Sequence, residues 1–66
     1  MIVTLNGKEK EFAAPLTVRE LLEALDLDST RVAVELNLEI LPRDQFSEKL
    51  LKEGDRLEVV QFVGGG

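Results

Sequence analysis

Neither cysteine nor histidine occurs among the 66 residues of this chain. Disulfides, thiolate metal sites and a cysteine nucleophile are thereby removed together, and any catalytic site would have to be built from carboxylates, amines and hydroxyls alone. A cysteine-free chain suits a reducing compartment, so the cytoplasm is the expected location. Long apolar runs are also missing, and no stretch could span a bilayer as a helix. The opening Met1-Ile2-Val3-Thr4-Leu5-Asn6-Gly7 lacks a basic segment ahead of its apolar residues and reaches a turn signal too soon for a secretory signal. Basic residues are in the minority, eight against thirteen acidic, for a formal charge of -5. That balance argues against nucleic acid or an anionic membrane as partner and favours a basic protein surface.

What is present reads as one small domain. A chain of this length buries only about 60% of its unfolded surface, enough for a core but not for a deep pocket. Residues 2–5 alternate and stop at Asn6-Gly7, a pair that predicts a type I′ hairpin into a second, charged strand over 8–12 ending on Phe12. Thr17 and Glu20 then fit a capping box, with Leu16 and Leu21 at the staple positions on either side. Val18, Leu21, Leu22 and Leu25 recur as one apolar helical stripe, and 26–30 reads as the exit loop with Leu27 beneath it.

Val32, Val34 and Leu36 predict a third strand at the centre of the sheet, ended by Asn37. Ile40 and Leu41 form at most a short strand before Pro42, which marks an edge or an exit because it cannot donate to a ladder. A crossover over 44–51 is expected to be anchored by Phe46, Leu50 and Leu51. Lys52, Glu53, Gly54 and Asp55 signal a tight turn, and 56–63 reads as the last strand. This order predicts an α+β domain of the β-grasp type, a mixed sheet of four to five strands with one main helix packed across one face. The domain should occupy 1–63 and leave 64–66 as a flexible glycine tail.

Few residues could carry chemistry. The carboxylate pairs Glu9 with Glu11 and Glu20 with Glu23 lie in patterns that solvated faces produce by default. No loop shows the acidic and glycine spacing of a calcium site or the glycine pattern of a phosphate cradle, so no metal site is expected. What remains is Val63-Gly64-Gly65-Gly66, three glycines directly after a strand. Glycine contributes no packing, and such a run suits a backbone that must thread somewhere narrow. A linker would look the same. As a terminal group, the Gly66 carboxylate is ionised at pH 7, with an ordinary pKa of about 3.5, and can attack the α-phosphorus of a nucleotide. If Leu57 and Val59 point into the core, Val60 and Phe62 point out beside this tail, an apolar pair suited to docking. Burial of that pair beneath the crossover is the competing arrangement.

Asn6-Gly7, the segment Leu16-Thr17-Val18-Arg19-Glu20-Leu21-Leu22, the region 37–43, Glu53-Gly54-Asp55 and the Val63-Gly64-Gly65-Gly66 ending together resemble the ThiS family of thiamine-biosynthesis sulfur carriers across the whole chain. The resemblance implies a ubiquitin-like β-grasp fold and a carrier rather than an enzyme. It implies that an E1-like adenylyltransferase of the ThiF type, using ATP and magnesium, adenylates Gly66, and that a protein persulfide converts it to a thiocarboxylate. A thiazole synthase of the ThiG type would then take the sulfur. Gly65 completes the diglycine that enters the partner, and Gly64 lengthens its reach. The carrier itself would bind no cofactor or metal and would be a monomer when free. Two relatives in mechanism stay open at this point: the small subunit of molybdopterin synthase, usually a longer chain, and a ubiquitin-like modifier joined to lysines through Gly66. An interaction module with an inert tail is a third possibility.

Overall fold

The computed structural model describes residues 1–13 and 15–62. Its elements are β1 (Ile2–Leu5), β2 (Lys8–Glu11), α1 (Val18–Ala24), β3 (Val32–Leu36), β4 (Glu39–Leu41) and β5 (Arg56–Gln61), with short 3-10 turns at Ser29–Arg31 and Arg43–Gln45. The five strands form one mixed sheet in the order β2-β1-β5-β3-β4. β1 runs parallel to β5, and the other neighbours are antiparallel. The architecture is the expected α+β β-grasp, but its centre is β5 rather than β3. The third strand's apolar alternation reports a covered face, and that pattern is the same for a central strand and for its neighbour.

Helix α1 and one face of the sheet enclose the core. Val3 and Leu5 of β1, Val32, Val34 and Leu36 of β3, and Leu57 of β5 are buried with Val18, Leu21 and Leu22 of the helix. Leu25 and Leu27 are half-buried against the same cluster. Period two on the strands and period near 3.6 on the helix place these residues together, as the patterning predicts.

The start of α1 leaves none of its four free amides unsatisfied. Thr17 is the N-cap, its Oγ1 accepting from the Glu20 N–H at 3.1 Å while the Glu20 carboxylate accepts from the Thr17 N–H at 2.9 Å. The Leu21 N–H bonds the Thr17 carbonyl. The Val18 and Arg19 amides donate to the carbonyls of Lys49 and Phe46, so the crossover completes the cap and is tied to the helix by it. Phe46 and Leu51 are buried there as expected, whereas Leu50 is 55% exposed. Leu50 forms an isolated antiparallel bridge with Thr17, and in extended backbone successive side chains point oppositely. Burying Leu51 therefore turns Leu50 outward.

Two hairpins set the registers. Asn6 and Gly7 both have positive φ, as type I′ demands, and join Leu5 to its partner Lys8. β2 ends at Glu11, one residue short of the expected Phe12, which is half-buried. Between Leu36 and its partner Glu39, Asn37 and Leu38 take φ of 52° and 71°, a second hairpin of the same kind. Asn37 tolerates this conformation and is fastened there, its Nδ2 donating to Asp55 and its Oδ1 accepting from the Arg56 N–H. Asp55, buried, also accepts from the Lys52 N–H and so closes the 52–55 turn. Leu38 has no such support; it is 91% exposed in a region where a Cβ is strained.

The helix cap and the hairpin tip each make a stability prediction. Thr17→Ala should lower the unfolding free energy by about 1 kcal/mol in denaturant titration, since it opens the capping box. Leu38→Gly should raise it by roughly 0.5–1 kcal/mol in the same measurement, because strain is relieved and almost no burial is lost.

Candidate functional site: the outward face of the last strand

Strand β5 reverses its polarity along its length. Leu57 is buried and Val59 half-buried on the helix side, while Glu58, Val60 and Phe62 point to the opposite, open face. Val60 is 59% exposed and Phe62 54%. The crossover does not cover them, which excludes the buried arrangement and leaves the outward one. Phe62 is held in extension by its N–H, which donates to the Arg31 carbonyl at 2.7 Å. The expected strand continuation to Val63 and the residues Gly64, Gly65 and Gly66 lie outside the described residues, and with them the boundary between the 1–63 domain and its tail.

The register assembles a wider surface around this pair. Val60 lies opposite Ala33, and Glu58 lies opposite Glu35, which in turn lies opposite Ile40 of β4. Ile40 is exposed on the same face. Two carboxylates thus stand directly opposed across adjacent strands, an arrangement that costs stability. Ala33, Glu35, Ile40, Glu58 and Val60 line a shallow groove of about 120 Å³. Small-molecule pockets run to roughly 300–1,000 Å³, so this groove is smaller than such a site. The sequence points to Val60 and Phe62; Ile40 joins them only through strand pairing, and its position before Pro42 carries no signal of that.

The alternative chemical groups have structural occupations. Glu20 closes the capping box, and Glu23 pairs with Arg19 at 3.5 Å on the exposed side of the helix. Glu9 and Glu11 lie exposed on the edge strand β2. Asp28 caps the 3-10 turn at Ser29–Arg31, and hydrogen bonds from the Thr30 side chain and backbone hold its carboxyl below the ordinary carboxylate range. Among the described residues no cluster of three or more acidic side chains could hold a metal ion. Nor is any helix among them long and apolar enough to cross a membrane.

Comparison with known proteins places the chain in a family. The sequence model of the ThiS family matches residues 3–66, through the glycine ending. The sulfur carrier protein ThiS of Escherichia coli is 35% identical over 66 residues, with both chains covered in full. A thiazole synthase of Paramagnetospirillum magneticum is 47% identical over the whole chain, which spans 20% of that longer protein's length. The crystal structure of the thiamine biosynthesis protein ThiS from Geobacter metallireducens superposes with a TM-score of 0.85 at 42% identity, covering both chains in full. The chain belongs to the ThiS family, the small ubiquitin-like β-grasp sulfur carriers of thiamine biosynthesis.

Proposed function

We propose that Gly66 is the covalent sulfur site of this carrier. Its carboxylate attacks the α-phosphorus of ATP in an E1-like adenylyltransferase of the ThiF type, releasing pyrophosphate, with magnesium held by that enzyme. The terminal sulfur of a protein persulfide attacks the acyl carbon of the adenylate and AMP leaves; a thiol then cleaves the sulfur–sulfur bond and the thiocarboxylate remains. A thiazole synthase of the ThiG type accepts the sulfur and returns the carboxylate. Gly65 and Gly64, without Cβ atoms, let the backbone enter a narrow channel in each partner.

The observation that carries this reading is the outward turn of Val60 and Phe62 at the end of β5, immediately before residues 63–66. A partner that grips the two apolar side chains finds the carboxylate a few residues away. Glu35 and Glu58 beside them suit a basic partner surface, in line with the chain's charge of -5. Family membership supports the direction of the chemistry, and the lack of any thiol is compatible with a carrier that would hold sulfur on a carboxylate. The thiazole synthase in which a segment matches this whole chain supports thiazole synthase as the acceptor.

Intact-mass measurement after incubation with the adenylyltransferase, ATP, magnesium and a persulfide donor should show a species in which sulfur has replaced one oxygen. Deleting Gly66 should abolish that species while the thermal unfolding curve stays in place; an unchanged mass for the parent chain would sink the assignment. Phe62→Ala should weaken binding to the adenylyltransferase by roughly 2 kcal/mol, as loss of a docking anchor does. Its stability should change by no more than about 0.5 kcal/mol, since the ring is largely exposed.

A further inference from the structure

Backbone hydrogen bonding along β5 alternates between its two neighbours. Arg56 and Phe62 bond across to β3 and its flanks, the Arg56 carbonyl accepting from Asn37 and the Phe62 N–H donating to Arg31. In an antiparallel pair this fixes the phase: 56, 58, 60 and 62 direct their polar backbone groups toward β3, and 57, 59 and 61 direct theirs the other way. On that other side lies β1, but β1 ends at Leu5. The Leu57 carbonyl accepts from the Asn6 N–H at 2.9 Å. Val59 is met by the Asn6 side chain alone, its N–H donating to Oδ1 at 2.7 Å and its carbonyl accepting from Nδ2 at 3.2 Å. The chain then turns away through Gly7 into β2. The N–H and carbonyl of Gln61 face the place where β1 would have continued, and no described residue bonds them there.

We propose that the Gln61 edge of β5 is a strand-addition site, on which an extended backbone segment of the adenylating partner pairs while the tail enters that partner's active site. The inference rests on the proposed activation of Gly66. Continuity with the proposed docking surface selects the occupant. Gln61 lies between the exposed Val60 and Phe62 on β5, so a partner that grips those two side chains has its own backbone beside the open edge. An open ladder edge takes an extended chain through main-chain bonds, and side-chain contacts to either side supply specificity. Phe62, next along the strand, supplies such a contact on the open face. Asn6 is a positioning residue in this scheme: its amide closes the ladder at Val59, so that the open edge begins at Gln61.

Amide hydrogen exchange by NMR on the full chain, free and with a ThiF-type adenylyltransferase, ATP and magnesium, reads the edge directly. In the free chain the Gln61 amide should exchange at least about tenfold faster than that of Val59, and complex formation should slow Gln61 by a similar factor or more. A synthetic chain N-methylated at the Gln61 amide should bind roughly tenfold more weakly with an unchanged unfolding midpoint, because that N–H bonds nothing within the described fold. If Phe62→Ala weakens the complex but Gln61 stays unprotected and its methylation is silent, the edge proposal fails and the docking surface survives. Absence of any complex overturns both. Concentration-dependent protection of Gln61 in the free chain would assign the edge to a second copy and overturn the partner assignment.

Discussion

The last strand of the chain is the middle strand of the sheet, and most of the molecule is arranged around the demands of that position. β5 must bury side chains on the helix face and satisfy backbone groups on both edges. Leu57 meets the first demand, and β3 meets the second along one edge for the full length of the strand. The other edge is met by β1 for two residues and by the Asn6 side chain for one more. Beyond that point the constraints release in turn: first the core side, then the second edge. The strand therefore passes from fully enclosed to one-sided within six residues, and the glycines of the sequence begin shortly after that release.

Stability is spent unevenly over the surface. The helix side of the fold is closed by reciprocal bonds, with a capping box, a crossover that finishes the cap, and a buried Asp55 that ties the 52–55 turn to the Asn37 hairpin. The open face holds Glu35 against Glu58, leaves Ile40, Val60 and Phe62 in water, and places Leu38 at positive φ on a hairpin tip. Each of these costs something in the free domain. They are concentrated on one side, on the face where β5 ends, and this is the face for which docking is proposed.

A carrier of this size has no interior to spare for chemistry, and the carboxylate pairs that the sequence offers are occupied by a cap, an ion pair and a solvated strand. The reactive group proposed for the chain lies on its tail, where the fold contributes position and presentation. Catalysis in this scheme belongs to partners, and a chain without cysteine or histidine is compatible with it.

Local signals are legible wherever a residue's neighbours in sequence are also its partners in space. Asn6-Gly7 announces a hairpin because both residues tolerate positive φ, and Thr17 with Glu20 announces the helix start because their bonds span three residues. Alternation along β5 separates its two faces and pairs Val60 with Phe62, but that their face lies open rather than beneath the crossover is decided by the tertiary structure. Strand order is not readable, since β3 and β5 both present apolar helix-facing sides and only long-range pairing makes β5 central. Leu50 escapes local reading because its exposure depends on a bridge to Thr17, far earlier in the chain. The Asn37 contacts to Asp55 and Arg56, and the Asn6 amide on Val59, likewise join residues far apart in the chain. By itself, then, the sequence determined the elements, the capped helix, the apolar faces and the glycine ending, which are properties of short segments. The tertiary structure alone decided which strand is central and where its edge falls open, because hydrogen-bond partners across a sheet are chosen by the whole chain at once.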